Sequence, residues 1–265
     1  MKKNYRKLYE AKEFKDIKEI LYNSVKIYKD KIAFVIKHKE NKEIKYENIT
    51  YPKLLEDVNS LGTSFYELGL KGKRIAIIGN NRYEWAISHF GALRGEIVSV
   101  PLDKDLQYDE LENSLIRSKA DCIIFDEKLK NTIDVIKKNN NTQLTEYISM
   151  DKLDGYKNIE QLIKDGEKLI KSGKKDYINA KIDENKMNIL LFTSGTTSKS
   201  KAVMLSQKNI ASNIYAMQCV EDINCNDTNI AFLPFHHIFG STCLIMMVAN
   251  GAKTVFPDGL RYIKQ

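Results

Sequence analysis

The stretch ILLFTSGTTSKSKAVMLS, residues 189–206, decides how this chain is read. An apolar run, Ile189 to Phe192, delivers the backbone into Thr193, Ser194, Gly195, Thr196, Thr197 and Ser198. After Lys201 a second apolar run, Ala202 to Leu205, leads away, so the pattern predicts two strands around a hydroxyl-rich loop. Hydroxyls, a glycine and successive backbone N–H groups can wrap the oxygens of a polyphosphate, and an ammonium adds a point charge. The loop is not of the Walker type, which needs G-x-x-x-x-G-K-[ST] running straight into a helix. By itself the same string also makes an ordinary polar hairpin turn between two buried strands.

Upstream of the loop the chain alternates. Residues 1–30 are expected to be an amphipathic helix, with Ile17, Ile20, Leu21 and Val25 at helical spacing. A hairpin is predicted over 31–51, turning at KENK. Thr50 caps a helix that carries Pro52 in its first turn and stops at Gly69. Strands are then expected at 74–79, 96–101, 121–125 and near 144–149, separated by helices at 82–94, 107–118 and near 127–138. Continuous apolar strands separated by helices imply an α/β fold of stacked layers with largely parallel sheets. A helix over 158–171 and a polar segment, 172–186, follow. That segment is taken as the boundary between a first α/β subdomain, 1–186, and a second, 187–265, which opens with the phosphate loop. Beyond the loop a helix is expected over 209–220 and a strand over 229–233, leading into PFHHIFG at 234–240.

Composition narrows the classes. A chain of 265 residues with 43% hydrophobic and 29% charged residues has the make-up of an ordinary globular protein. The net charge of +7 is spread along the chain with no basic stripe interleaved with aromatics, which argues against nucleic acid as partner. It leaves room for attraction to an anionic membrane surface or to an acidic ligand. Cys122, Cys219, Cys225 and Cys243 form no metal-binding spacing, and Cys122 and Cys243 are expected in the core. Free thiols, and an N-terminus without the apolar segment of a signal peptide, lead to the expectation of a cytoplasmic protein. The longest apolar stretch, Cys243 to Ala249, falls short of the roughly 20 residues that span a bilayer.

FTSGTT followed by a lysine and VMLS closely resembles the phosphate-binding signature of the adenylate-forming superfamily. Acyl-CoA synthetases, luciferases and the adenylation domains of peptide synthetases belong to it. Where that signature carries glycine, proline and glycine, this chain has Ser198, Ser200 and Ala202. Ser198 matters most, because serine reaches positive φ only at a cost. Two further stretches carry the resemblance: NRYEWAISHFGALRGEIVSVPLD at 81–103, which looks most like long-chain acyl-CoA synthetases, and L-P-x-x-H-x-x-G at 233–240. Tyr83, Trp85 and the GNN turn at 79–81 are read as structural.

The resemblance implies in-line attack of a carboxylate on the α-phosphorus of ATP, release of pyrophosphate, and transfer of the acyl group to CoA. Thr193, Ser194, Gly195, Thr196, Thr197, Ser198 and Lys201 would bind the phosphates. His237, with Phe239 and Gly240, would line the acyl and CoA passage, and His236 has no assignment. Magnesium is implied as a cofactor, without a nameable ligand in this chain. The family's later G-Y-G-x-T-E motif, ribose-binding aspartate and adenylation lysine have no match, so C-terminal elements are read as missing. The expectation is the N-terminal portion of a fatty acid–CoA ligase, not competent alone and able to self-associate through surface left uncovered. The alternatives are adenylation of an aryl or amino acid, or a non-catalytic nucleotide-binding protein with a degenerate loop.

Overall fold

The computed structural model describes residues 7–40, 43–193 and 201–257. Helix α1 (Ile17–Tyr28) is the first regular element. Residues 7–16 have no helix, which shortens the expected N-terminal helix. The cause is Asp16, an extended residue whose carboxylate accepts a hydrogen bond from the Glu19 amide and so fixes the helix start. The hairpin β1 (Ile32–Glu40) and β2 (Glu43–Thr50) comes next, and Thr50 caps α2 (Tyr51–Glu67), with Pro52 in the first turn. Gly69, at φ +75°, turns the chain out of that helix.

The expected alternation follows. It runs β3 (Arg74–Ile78), α3 (Tyr83–Arg94), β4 (Val98–Leu102), α4 (Tyr108–Ser118), β5 (Cys122–Phe125), α5 (Lys130–Asn139) and β6 (Glu146–Ser149). A short β7 (Lys157–Asn158) precedes α6 (Ile159–Lys171). The loop signature lies between β8 (Met187–Thr193) and β9 (Lys201–Ser206). After them come α7 (Gln207–Gln218), β10 (Thr228–Ile230), α8 (Ile238–Ala249) and β11 (Lys253–Val255). The apolar run at 243–249 is the C-terminal half of α8. The expected strand at 229–233 is cut to three residues, because the carbonyls of Ala231 and Leu233 bond to a side chain instead of a neighbouring strand.

Seven strands form one sheet in the order β7-β6-β5-β3-β4-β8-β9, parallel except for β9, which pairs antiparallel with β8. Four form the other, in the order β10-β11-β1-β2. Both sheets take strands from either side of residues 172–186, so the division expected at 186 does not follow the sheets. The reason is register: β8 inserts beside β4, with Ser99 opposite Ile189, and β11 lies beside β1, with Phe34 opposite Thr254. One core runs from α1, α2 and α3 through one face of the larger sheet to Phe34, Phe256 and α8. A second core lies on the opposite face under α4 and α5.

Arg94, fully buried at the end of α3, ties the polar connection to the core. Its guanidinium lies between the rings of Tyr22 and Tyr177, at 5.2 Å and 4.8 Å from their centroids, and donates to the Tyr177 carbonyl and the Tyr22 hydroxyl. Rings and carbonyls stabilise the charge without a carboxylate. Cys122 is fully buried in the middle of the sheet as expected, and burial pushes its thiol pKa up. Cys243 is only partly buried, because on α8 it stands between the buried Thr242 and Leu244 on an outer stripe; Cys219 is buried instead.

Candidate functional site

The two ends of the signature loop are held together. Thr193 closes β8 and Lys201 opens β9, directly opposite one another in the antiparallel pair. The Thr193 hydroxyl lies 3.4 Å from the Lys201 carbonyl. Ser194, Gly195, Thr196, Thr197 and Ser198 lie outside the described residues, as does Ser200. The loop leaves the C-terminal end of β8, beside β4 and one strand from β3. In open α/β sheets this end collects ligands, because loops diverge there to opposite faces.

The histidine segment reaches the same end of the sheet through one side chain. Asn81, in the turn after β3, donates from Nδ2 to the carbonyls of Ala231 (2.8 Å) and Leu233 (2.7 Å). Its Oδ1 accepts from the Phe235 amide at 3.0 Å. One amide group thus satisfies three backbone groups that no strand pairs. Phe235 is buried against Trp85, with ring centroids 5.2 Å apart, and Trp85 and Tyr83 are both core residues. Sequence alone read the GNN turn as structural. What it missed is that Asn81 docks a segment 150 residues away, and only an amide in a turn hinted at this.

His237 caps α8, and its Nδ1 accepts from the Phe239 amide at 3.2 Å. It is exposed, as is Phe239 at 54%, so the two stand at the surface beside the segment that Asn81 holds. Gly240 is buried for a steric reason: a Cβ there would lie 2.2 Å from the Pro234 carbonyl oxygen. His236 sits 3.5 Å from Asp103, in the loop after β4. Burial lowers its pKa and the Asp103 carboxylate opposes that shift. His236 thus joins the histidine segment to the strand next to β8. The neighbouring strand ends are closed by other groups. Asp126 accepts from the Asn80 amide and side chain, and Arg82 pairs with Glu84 and Asp151.

Described residues contribute Thr193, Lys201, His237, Phe239 and Gly240 to the expected site, with Asn81 and Asp103 as their supports. Among the described residues no group of three His, Cys, Asp or Glu side chains is placed to hold a metal ion. No helix among the described residues is long and apolar enough to cross a membrane.

The family model described as AMP-binding enzyme matches residues 21–264. The chain is 27% identical over 256 residues to fatty acyl-CoA synthetase A of Dictyostelium discoideum, covering 91% of this chain and 38% of that protein. It is 28% identical to long-chain-fatty-acid–CoA ligase 5 of Mus musculus, covering 81% of this chain and 34% of the other. A Dictyostelium discoideum protein named "Probable 4-coumarate--CoA ligase 1" is 33% identical over 201 residues, 70% of this chain and 36% of that one. Among solved structures, a long-chain-fatty-acid-CoA ligase from Archaeoglobus fulgidus superposes with a TM-score of 0.78 at 17% identity, covering 93% of this chain and 47% of its own. The inhibitor-bound N-terminal domain of FACL13 from Mycobacterium tuberculosis superposes at 0.76 with 20% identity, covering 93% and 58%. This chain thus spans about a third of the length of these curated relatives and about half of the solved chains. The architecture is that of the N-terminal part of adenylate-forming enzymes, and the chain belongs to the AMP-binding enzyme family.

Proposed function

We propose that the chain carries the phosphate-binding and acyl-entry portion of an ATP-dependent fatty acid–CoA ligase. The observation that carries this reading is a convergence. The loop closed by Thr193 and Lys201 and the segment ending in His237 meet the same end of the β3-β4-β8 strands, one by sheet order and the other through Asn81 and Asp103. In this reading Thr193, Ser194, Gly195, Thr196, Thr197, Ser198 and Lys201 hold the β- and γ-phosphates as they leave. A carboxylate attacks the α-phosphorus, pyrophosphate departs, and the thiol of CoA then displaces AMP from the acyl-adenylate. Charge grows on phosphate oxygens, so fixed donors and the Lys201 ammonium stabilise the transition state more than the ground state. His237, Phe239 and Gly240 shape the path of the acyl chain and CoA. Bound magnesium would neutralise phosphate charge.

The test has two arms. ATP binding, followed by calorimetry on this chain, should weaken about tenfold in Lys201→Ala, the loss of one charge-assisted contact. Unchanged affinity would overturn the assignment of the loop. Carboxylate-dependent ATP–pyrophosphate exchange, run with fatty, aryl and amino acids, should be absent from these 265 residues alone and present with fatty acids in the longer ligase. Enzyme-like exchange by the chain alone would refute its incompetence.

A second reading, activation of an aryl acid, is favoured by the 33% identity to a protein named as a 4-coumarate–CoA ligase, and exchange with aryl acids alone would select it. Ser198, Ser200 and Ala202 motivate a third, a degenerate loop that binds nucleotide without chemistry. A large gain on making Ser198→Gly, Ser200→Pro and Ala202→Gly together in the longer ligase would select that one.

A further inference from the structure

Strand β2 lies at one end of the four-stranded sheet, with β1 on one side and no strand among the described residues on the other. Every residue of it except Ile49 is exposed, Ile44 by 52% and Tyr46 by 62%. Such an edge is a template for another strand, and a lysine at its centre is the usual deterrent. Lys45 holds that position, but β2 also carries its own complement two residues away on the same face, Glu47.

The register follows from the charges. Consider two copies of β2 running antiparallel about a two-fold axis through Tyr46. Lys45 then faces Glu47 of the second copy, symmetry repeats that pair, Tyr46 faces its own counterpart, and Ile44 faces Asn48. Moving the axis to Lys45 opposes two lysines and sets Glu43 against Glu47. Moving it to Glu47 opposes two carboxylates, and moving it to Ile44 pairs Glu43 with Lys45 but overlaps only residues 43–45 of each β2. Axes midway between residues make no pair of opposite charges. Opposite charges and aromatic pairs across strands stabilise a sheet, and like charges directly opposite destabilise it. Within the hairpin, His38 is opposite Lys45 and its Nε2 lies 2.8 Å from Glu47, diagonally across the pair.

We propose that this chain forms a two-fold dimer by antiparallel pairing of β2 with β2 about Tyr46, joining two four-stranded sheets into one. The partner is a second copy of this chain. The proposal is independent of the nucleotide site.

Sedimentation velocity on the whole chain over a concentration series tests it. The unaltered chain should show a monomer–dimer equilibrium that weakens with added salt. Lys45→Glu and Glu47→Lys each set like charges opposite at two symmetry-related places and should raise the dissociation constant about tenfold or more. Lys45→Glu combined with Glu47→Lys restores opposite charges only in this register, and should return the constant to within about threefold of the original. A monomer at every concentration, a dimer indifferent to either single change, or a double variant without recovery would each overturn the proposal. Association through the other sheet edges, β7, β9 or β10, would give the second of these results.

Discussion

At the scale of single residues, the site is governed by close contacts that leave no room for adjustment. Gly240→Ala would push a methyl group into the Pro234 carbonyl, which is backbone and cannot rotate away. It should destabilise the fold by about 1–3 kcal/mol in urea unfolding. His89 makes a different prediction. It is completely buried, its Nδ1 lies 2.8 Å from the Ser99 hydroxyl, its Nε2 has no hydrogen-bond partner among the described residues, and burial lowers its pKa to about 3. The unfolded chain protonates this ring near its ordinary value of 6.5, so between that pH and about 3 the unfolded state binds more protons. Its contribution is therefore fully present above pH 6.5 and is lost on acidification, by up to about 1.4 kcal/mol per pH unit. His89→Gln should flatten the pH dependence of unfolding between roughly pH 6 and pH 4, and an unchanged slope would refute this role. The sequence made the loop and His237 visible because whole motifs carry them. It hid Asn81 and the need for Gly240, since the atoms they serve are apart in sequence or are carbonyls of an irregular segment.

At the scale of elements, propensity and packing give different views of the same residue. Gly166 sits inside α6, where glycine weakens a helix, and sequence offers no reason for it. The structure does: a Cβ there would lie 1.8 Å from the Ser60 carbonyl oxygen, at the crossing of α6 over α2. Four residues along α2, one helical turn on, the Ser64 hydroxyl donates to the Leu162 carbonyl at 2.6 Å. Gly166→Ala should therefore separate the two helices and cost about 2–3 kcal/mol, despite raising helix propensity; a stabilised variant in chemical denaturation would contradict this. The start of α2 was legible from Thr50, because a cap is a local pattern. Arg94 was not. Its partners are Tyr22, 72 residues before it, and Tyr177, 83 after it, and no periodicity links them.

At the scale of the whole molecule, the interleaving of strands decides how the chain unfolds. Residues before and after 186 complete one another's sheets, so the fold should melt in a single cooperative transition. A chain ending at residue 186 loses β8 and β9 from one sheet and leaves β1 and β2 as a bare hairpin in the other. It should lack a near-ultraviolet circular dichroism signal and a cooperative urea transition; a cooperative transition in that shortened chain would show the sheets to be separable. The alternation of strands and helices was legible because each is set by nearby residues, whereas strand order depends on pairings far apart in sequence. Cys122 turns that arrangement into a clock. Its thiol is sealed within the sheet and held protonated, while Cys225 and Cys243 are partly open to solvent. An alkylating reagent should consume the partly open thiols quickly and reach Cys122 only when the sheet parts, so labelling followed at Cys122, apart from the other buried thiol Cys219, times how often the native protein opens as a whole.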